Sequence, residues 1–135
     1  LTQQCLPLLR AAGSAQDPAR VINISSINGL ANPGMTNYSY SASKAAVVQM
    51  TRHLAVDLVK DNINVNSIAP GIFPSKMTAF VINGNEDAID ASIPRGRMGN
   101  AEDAAGTAIY LCSRASAWVT GQTLVLDGGV LANAG

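Results

Sequence analysis

The chain has 135 residues, 47% of them hydrophobic, with nine basic and nine acidic side chains that cancel. That length holds one ordinary domain around one core. With 13% charged residues and no basic cluster, it is not built for nucleic acid or an anionic membrane surface, and its apolar runs fall short of the ~18 residues needed to cross a bilayer.

In chain order, Leu1, Cys5, Leu8 and Leu9 repeat at helical spacing with no N-cap residue ahead of them, so the sequence opens inside a helix. No charged segment and cleavage site precede it. The expectation is a chain truncated at its N-terminus rather than one led by a signal peptide. This helix runs to about Ala12, with Pro7 a local irregularity and Gly13 a stop. After a polar loop, Val21 to Ser25 is rich in β-branched residues and reads as a strand ending at Ser25-Ser26. A loop from Asn28 to Asn37 leads to a long helix, from Tyr38 to about Lys60.

That helix carries Tyr40-Ser41-Ala42-Ser43-Lys44. Residues four apart lie on one helix face, so a phenol and an ammonium can be presented to one small volume. A fixed cation favours the phenolate and brings a phenol toward the working range of a general acid-base catalyst. Such a pair taken alone is more often an ordinary surface contact. Tyr38 is an internal control, because its partner four residues on is Ala42, which carries no charge. Outside one thin polar stripe (Gln49, Arg52, His53, Asp57, Lys60) the helix is apolar, more than a single sheet requires, and a covering loop or a subunit interface would account for the surplus.

Ile63 to Ala69 reads as a second strand, ended by Pro70-Gly71. Between Ile72 and Pro94 the pattern weakens around Met77 to Ile82 and reads as a short, mobile helical lid. Arg95, near this lid, reads as a solvated cation before a contact for an acidic substrate group. Asn100 caps a helix with Glu102 and Asp103 in its first turn, running to about Ser113. Thr123 to Leu126 is the last strand, stopped by Asp127-Gly128-Gly129. The alternation is that of an α/β fold, a doubly wound parallel sheet with helices on both faces. Residues 1–135 form one partial domain, without internal repeat or linker. Cys5 and Cys112 lie among apolar residues without metal-ligand spacing and read as buried, reduced thiols. His53 has no ligand partner at a useful spacing and is assigned no chemistry; no metal is expected.

Taken together, Asn23-Ile24-Ser25-Ser26, Tyr40 to Ala46, Asn66 to Gly71, Thr120-Gly121-Gln122 and Asp127-Gly128-Gly129 resemble the carboxyl-terminal half of a short-chain dehydrogenase/reductase over the whole chain. Tyr38 and Tyr40 together resemble the branch of the 3-oxoacyl and rhamnolipid-synthesis reductases. The resemblance implies a Rossmann-like NAD(P)-dependent oxidoreductase interconverting a ketone and a secondary alcohol, with a 3-oxoacyl thioester or a polyol-type molecule as substrate. It assigns substrate orientation to Ser26, with Ser25 as the alternative, proton transfer to Tyr40, and the nicotinamide ribose and the tyrosine's acidity to Lys44. Pro70, Gly71, Ile72 and Phe73 would line the nicotinamide pocket. Ser75 stands where the family usually places a threonine for the carboxamide. The cofactor is NADP or NAD, with NADP slightly favoured, and the protein would be a cytoplasmic homo-oligomer, a dimer or tetramer.

The Gly-rich dinucleotide fingerprint of such folds is absent from these residues. The rival expectation is therefore a catalytically inactive fragment that only associates through its helices. A lyase or epimerase on the same scaffold is a third reading, disfavoured by Ser26, Tyr40 and Lys44 standing together.

Overall fold

The computed structural model describes residues 1–32, 34 and 36–133. Strands β1 (Ala19–Ile24), β2 (Ile63–Pro70) and β3 (Thr123–Leu126) are parallel and lie side by side in the order β1-β2-β3. Parallel neighbours need long crossovers, and these carry the helices. Helix α1 (Thr2–Ala12) precedes β1, and α2 (Tyr38–Leu58) connects β1 to β2. Helices α3 (Ala79–Ile82), α4 (Glu86–Ser92) and α5 (Ala101–Cys112) lie between β2 and β3, and a short α6 (Val130–Asn133) follows β3. The result is the expected Rossmann-like parallel sheet. Among the described residues, no helix is long and apolar enough to cross a membrane.

β2 is the centre of the molecule: every residue from Ile63 to Ala69 is buried. Side chains alternate between the faces of a strand. Ile63 and Val65 pack with Ala55 and Leu58 of α2, and Leu6, Leu9 and Val21 close that cluster. On the other face Asn64 and Asn66 hold the segment after α5: Asn64 Nδ2 donates to the Ala117 carbonyl at 2.9 Å, and Asn66 Nδ2 to that of Val119 at 2.8 Å. The Asn66 amide oxygen accepts from the Gln122 N–H at 3.0 Å. Buried amides would be costly without these bonds. Here they clip residues 117–122 to the sheet and bring the chain into β3.

Several boundaries differ from the sequence expectations. β1 begins two residues before Val21, because the Ala19 N–H bonds the Asn62 carbonyl at 2.9 Å and pairing starts there. α1 runs through Pro7 without a break. Gly13 ends α1 in an extended rather than left-handed conformation, and a Cβ there would meet the Asn62 carbonyl. α2 stops at Leu58 and tightens into a 3-10 turn, Val59–Asp61, closed by Asn62 at φ 56°. Asparagine tolerates that left-handed region.

The single expected lid is two helices, α3 and α4, separated at Gly84 with φ 81°. α6 carries no sequence signal beyond the Gly pair before it. The two cysteines are free, but Cys112 is exposed and Cys5 half-buried, contrary to the expected burial. Leu111, the residue before Cys112, is the one α5 turns fully inward. Positions 33 and 35 of the expected loop lie outside the described residues.

Candidate active site

In a parallel sheet the carboxyl ends of the strands open together at one edge, where such folds hold their ligands. β1 ends here at Ile24 and continues into Ser25 and Ser26, and β2 ends at Pro70-Gly71. α2 starts with Tyr38, so Tyr40 and Lys44 occupy its first two turns, beside the end of β1. Lys44 Nζ donates to the Ile24 carbonyl at 3.2 Å and sits 5.5 Å from the centroid of the Tyr40 ring. Tyr40 and Lys44 thus share one volume, as their spacing predicts. Tyr38 lies on the outer surface, 79% exposed.

The two serines have different surroundings. Ser25 Oγ donates to the Lys44 main-chain carbonyl at 2.8 Å, so its proton is directed into α2. Ser26 begins a 3-10 turn, Ile27–Gly29, and its Oγ accepts the Asn28 N–H at 3.2 Å. An accepting hydroxyl keeps its own proton to donate elsewhere. Both serines are buried against this end of the sheet. The turn packs on α2 at Lys44, where Gly29 approaches the helix backbone: a Cβ at Gly29 would stand 2.6 Å from the Lys44 carbonyl carbon.

At the end of β2, the Gly71 N–H bonds the Leu126 carbonyl at 2.9 Å, and the Gly99 N–H bonds that of Ile72 at 3.0 Å. The Phe73 ring lies on Gly99, where any Cβ would collide with it. Ile72 and Phe73 line a cleft of about 190 Å³ together with Ile93, Arg95, Arg97 and Asp103. Tyr40, Lys44 and Ser26 do not line it. One pair of its charges is already matched. Arg97 grips the Asp103 carboxylate through two bonds, 2.7 and 3.0 Å, and Asp103 also accepts the Asn100 N–H. Those contacts hold the Asp103 carboxyl down to about 2 and push the Arg97 guanidinium up. Arg95 adds to the field on Asp103. Ser75 is exposed and its hydroxyl bonds Thr78 in a local turn, Oγ to Oγ1 at 3.0 Å.

Sequence reasoning missed three supports. The Asn23 amide donates to Thr51 Oγ1 at 2.9 Å, and the Thr51 hydroxyl donates to the Val47 carbonyl at 2.8 Å, a part-buried link from β1 to α2. The Ser25 brace and the Gly29 approach are the other two. Only Asn23, a polar residue inside an apolar strand, carried any signal.

The fold and this cluster define a Rossmann-like α/β protein with a Tyr-x-x-x-Lys helix at the ligand end of its sheet. Residues 1–131 match the family described as enoyl-(acyl carrier protein) reductase. The chain belongs to the short-chain dehydrogenase/reductase family. It is 50% identical over 129 residues to the rhamnolipids biosynthesis 3-oxoacyl-[acyl-carrier-protein] reductase of Pseudomonas aeruginosa, covering 94% of this chain and 50% of that protein. It is 43% identical over 113 residues to the 3-oxoacyl-[acyl-carrier-protein] reductase FabG of Rickettsia bellii, covering 83% and 46%.

Among solved structures, the Pseudomonas aeruginosa RhlG/NADP active-site complex superposes with a TM-score of 0.89 at 50% identity, over 95% of this chain and 51% of that one. A putative 2-deoxy-d-gluconate 3-dehydrogenase from Agrobacterium tumefaciens with bound NADP gives 0.84 at 36% identity, over 98% and 53%. The chain spans about half the length of the curated relatives it matches.

Proposed function

We propose that this chain carries the proton-transfer machinery of a nicotinamide-dependent reductase that interconverts a ketone and a secondary alcohol. The observation that carries the reading is Lys44, whose ammonium is held at the end of β1 within 5.5 Å of the Tyr40 ring centroid. Tyr40 gives its proton to the oxygen of the carbonyl being reduced. Ser26 offers a hydrogen bond to the same oxygen as charge develops there. Lys44 stabilises the phenolate that Tyr40 leaves behind.

A bound nicotinamide cofactor would supply the hydride, and NADP is favoured because the two solved relatives above hold it. Lys44 fits a ribose diol, since an ammonium has three N–H bonds and one is taken by Ile24. The Tyr40 hydroxyl makes no hydrogen bond to another described residue. Pro70, Gly71, Ile72 and Phe73 would line the nicotinamide side, with Ser75 turning toward the carboxamide only if its bond to Thr78 gives way. A 3-oxoacyl thioester is the first substrate class, supported by the two reductases named above; a polyol-type substrate is the second, supported by the dehydrogenase.

Tyr40→Phe removes the proton donor without changing ring packing. NADPH-dependent reduction of a 3-oxoacyl thioester is expected to fall by roughly 10²- to 10⁴-fold. Near-normal turnover in that variant, with unchanged circular dichroism, would overturn the assignment.

The same reading places the protein in the cytoplasm as a homo-oligomer. Its two free thiols accord with a reducing compartment. α2 buries only Val48, Thr51, Ala55 and Leu58 in its 21 residues and leaves Met50 and Val56 exposed, as is Val59 in the turn that follows it. Ile109 in α5, Trp118 after it and Val125 in β3 are further exposed apolar side chains. Val56→Asp is expected to lower the mass measured by light scattering; an unchanged mass would move the interface away from α2.

A further inference from the structure

We infer that Ser25 and Gly29 are positioning residues, which together dock on the main chain of Lys44 and set the Ser26 turn against the Tyr40/Lys44 pair. The inference deepens the functional reading and rests on it for its consequence in catalysis, though not for the docking itself.

Residue 44 is tied to the strand end twice, in opposite senses. Its carbonyl receives the Ser25 hydroxyl at 2.8 Å, and its ammonium donates to the carbonyl of the preceding residue, Ile24, at 3.2 Å. Ser25 is 3% exposed, so its hydroxyl sits away from water, where going without a partner is costly. The second contact is steric. A Cβ at Gly29 would lie 2.6 Å from the Lys44 carbonyl carbon, 2.7 Å from the Ala45 nitrogen and 2.8 Å from the Lys44 oxygen, all main-chain atoms that cannot rotate aside.

Gly29 is also linked to Ser26, because its N–H bonds the Ser26 carbonyl at 3.0 Å. Ser26 Oγ in turn accepts the Asn28 N–H. Residues 26–29 are therefore a closed unit, and moving Gly29 off the helix moves Ser26 with it. Displacements of about 1 Å in a reacting constellation cost on the order of 10²-fold in rate. Ser25, whose proton goes to Lys44, acts through position; Ser26 is left to face the substrate.

Amide hydrogen exchange on this chain, without cofactor, reads the docking directly. In Ser25→Ala the amides of Gly29, Leu30 and Ala31 are expected to exchange about tenfold faster or more, while α1 and α5 keep their rates, and Ser25→Thr is expected to restore protection. In NADPH-dependent reduction, Ser25→Ala and Gly29→Ala are expected to lose about 10- to 100-fold in kcat, with KM for the ketone within about threefold. Unchanged exchange at residues 29–31 overturns the proposal, as does a uniform acceleration through the whole chain, which marks a merely structural serine. An unchanged kcat in Ser25→Ala, alongside an inactive Tyr40→Phe, overturns it too. If Tyr40→Phe stays active, the functional reading fails, and the exchange data still decide the docking. Should Gly29→Ala not fold, Ser25→Ala, which only removes an atom, decides alone.

Discussion

Replacing Gly71 by alanine should open the carboxyl end of the sheet. A Cβ at Gly71 would stand 2.8 Å from both Cα and Cβ of Asp127, about 0.6 Å inside ordinary contact. Asp127 cannot withdraw, because its carboxylate accepts the Gly129 N–H at 2.9 Å and the Leu131 N–H at 2.8 Å. The strain must pass to the Gly71 N–H bond with Leu126 and so to the β2–β3 pairing. Overpacking of this kind costs about 1–3 kcal/mol. For a chain of this size that is roughly 4–11 °C in Tm.

Gly106→Ala is the matched control. Gly106 lies inside α5, with nothing within 4 Å of its Cβ position, and alanine there should add about 0.5–1 kcal/mol by limiting the unfolded chain. Thermal melts followed by far-UV circular dichroism, at one protein concentration, are expected to move in opposite directions for the two variants. A Gly71→Ala variant melting at or above the parent, or two shifts of one sign, would refute the close-approach argument.

Asn66→Ala should leave the Val119 carbonyl and the Gln122 N–H without their buried partner, costing about 1–3 kcal/mol in urea unfolding and raising proteolysis between residues 117 and 122. Asp103 gives a pH test. Its carboxyl is held at about 2, first by the Arg97 hydrogen bond and then by the Asn100 N–H, below the ordinary 3.8. A depressed carboxylate stabilises the fold fully above its unfolded value, and that contribution is lost as pH falls from about 4 toward about 2. Asp103→Asn should flatten the Tm profile in that window and leave it unchanged in shape at neutral pH; an equal slope in both proteins would place the acid sensitivity elsewhere. Asn100→Ala should lower stability by about 1 kcal/mol through loss of the capping box, read as earlier fraying of α5 in hydrogen exchange.

Short-range chemistry made much of this molecule legible before any coordinates. The β-branched run at Val21 to Ile24, the apolar repeat of α2 and the Asn100 cap with acidic residues after it each act within a few residues, so periodicity and capping identify the elements. Strand alternation with helices implied a parallel sheet, and Tyr40 and Lys44 share a helix face at any position that helix takes. What a single sequence could not contain is which atoms meet across the fold. Ser25 and Ser26 look alike in the chain, and only the packing of α2 on β1 sends one hydroxyl into the Lys44 carbonyl and leaves the other at the turn. Gly29 and Gly71 resemble ordinary turn glycines until a helix backbone and Asp127 arrive beside them. Asn64 and Asn66 look out of place in a buried strand, yet residues more than fifty positions away satisfy them. Cys112 sits among apolar neighbours in sequence, but a helix shows one face to the core, and its rotation on the sheet turned Leu111 inward and the thiol out.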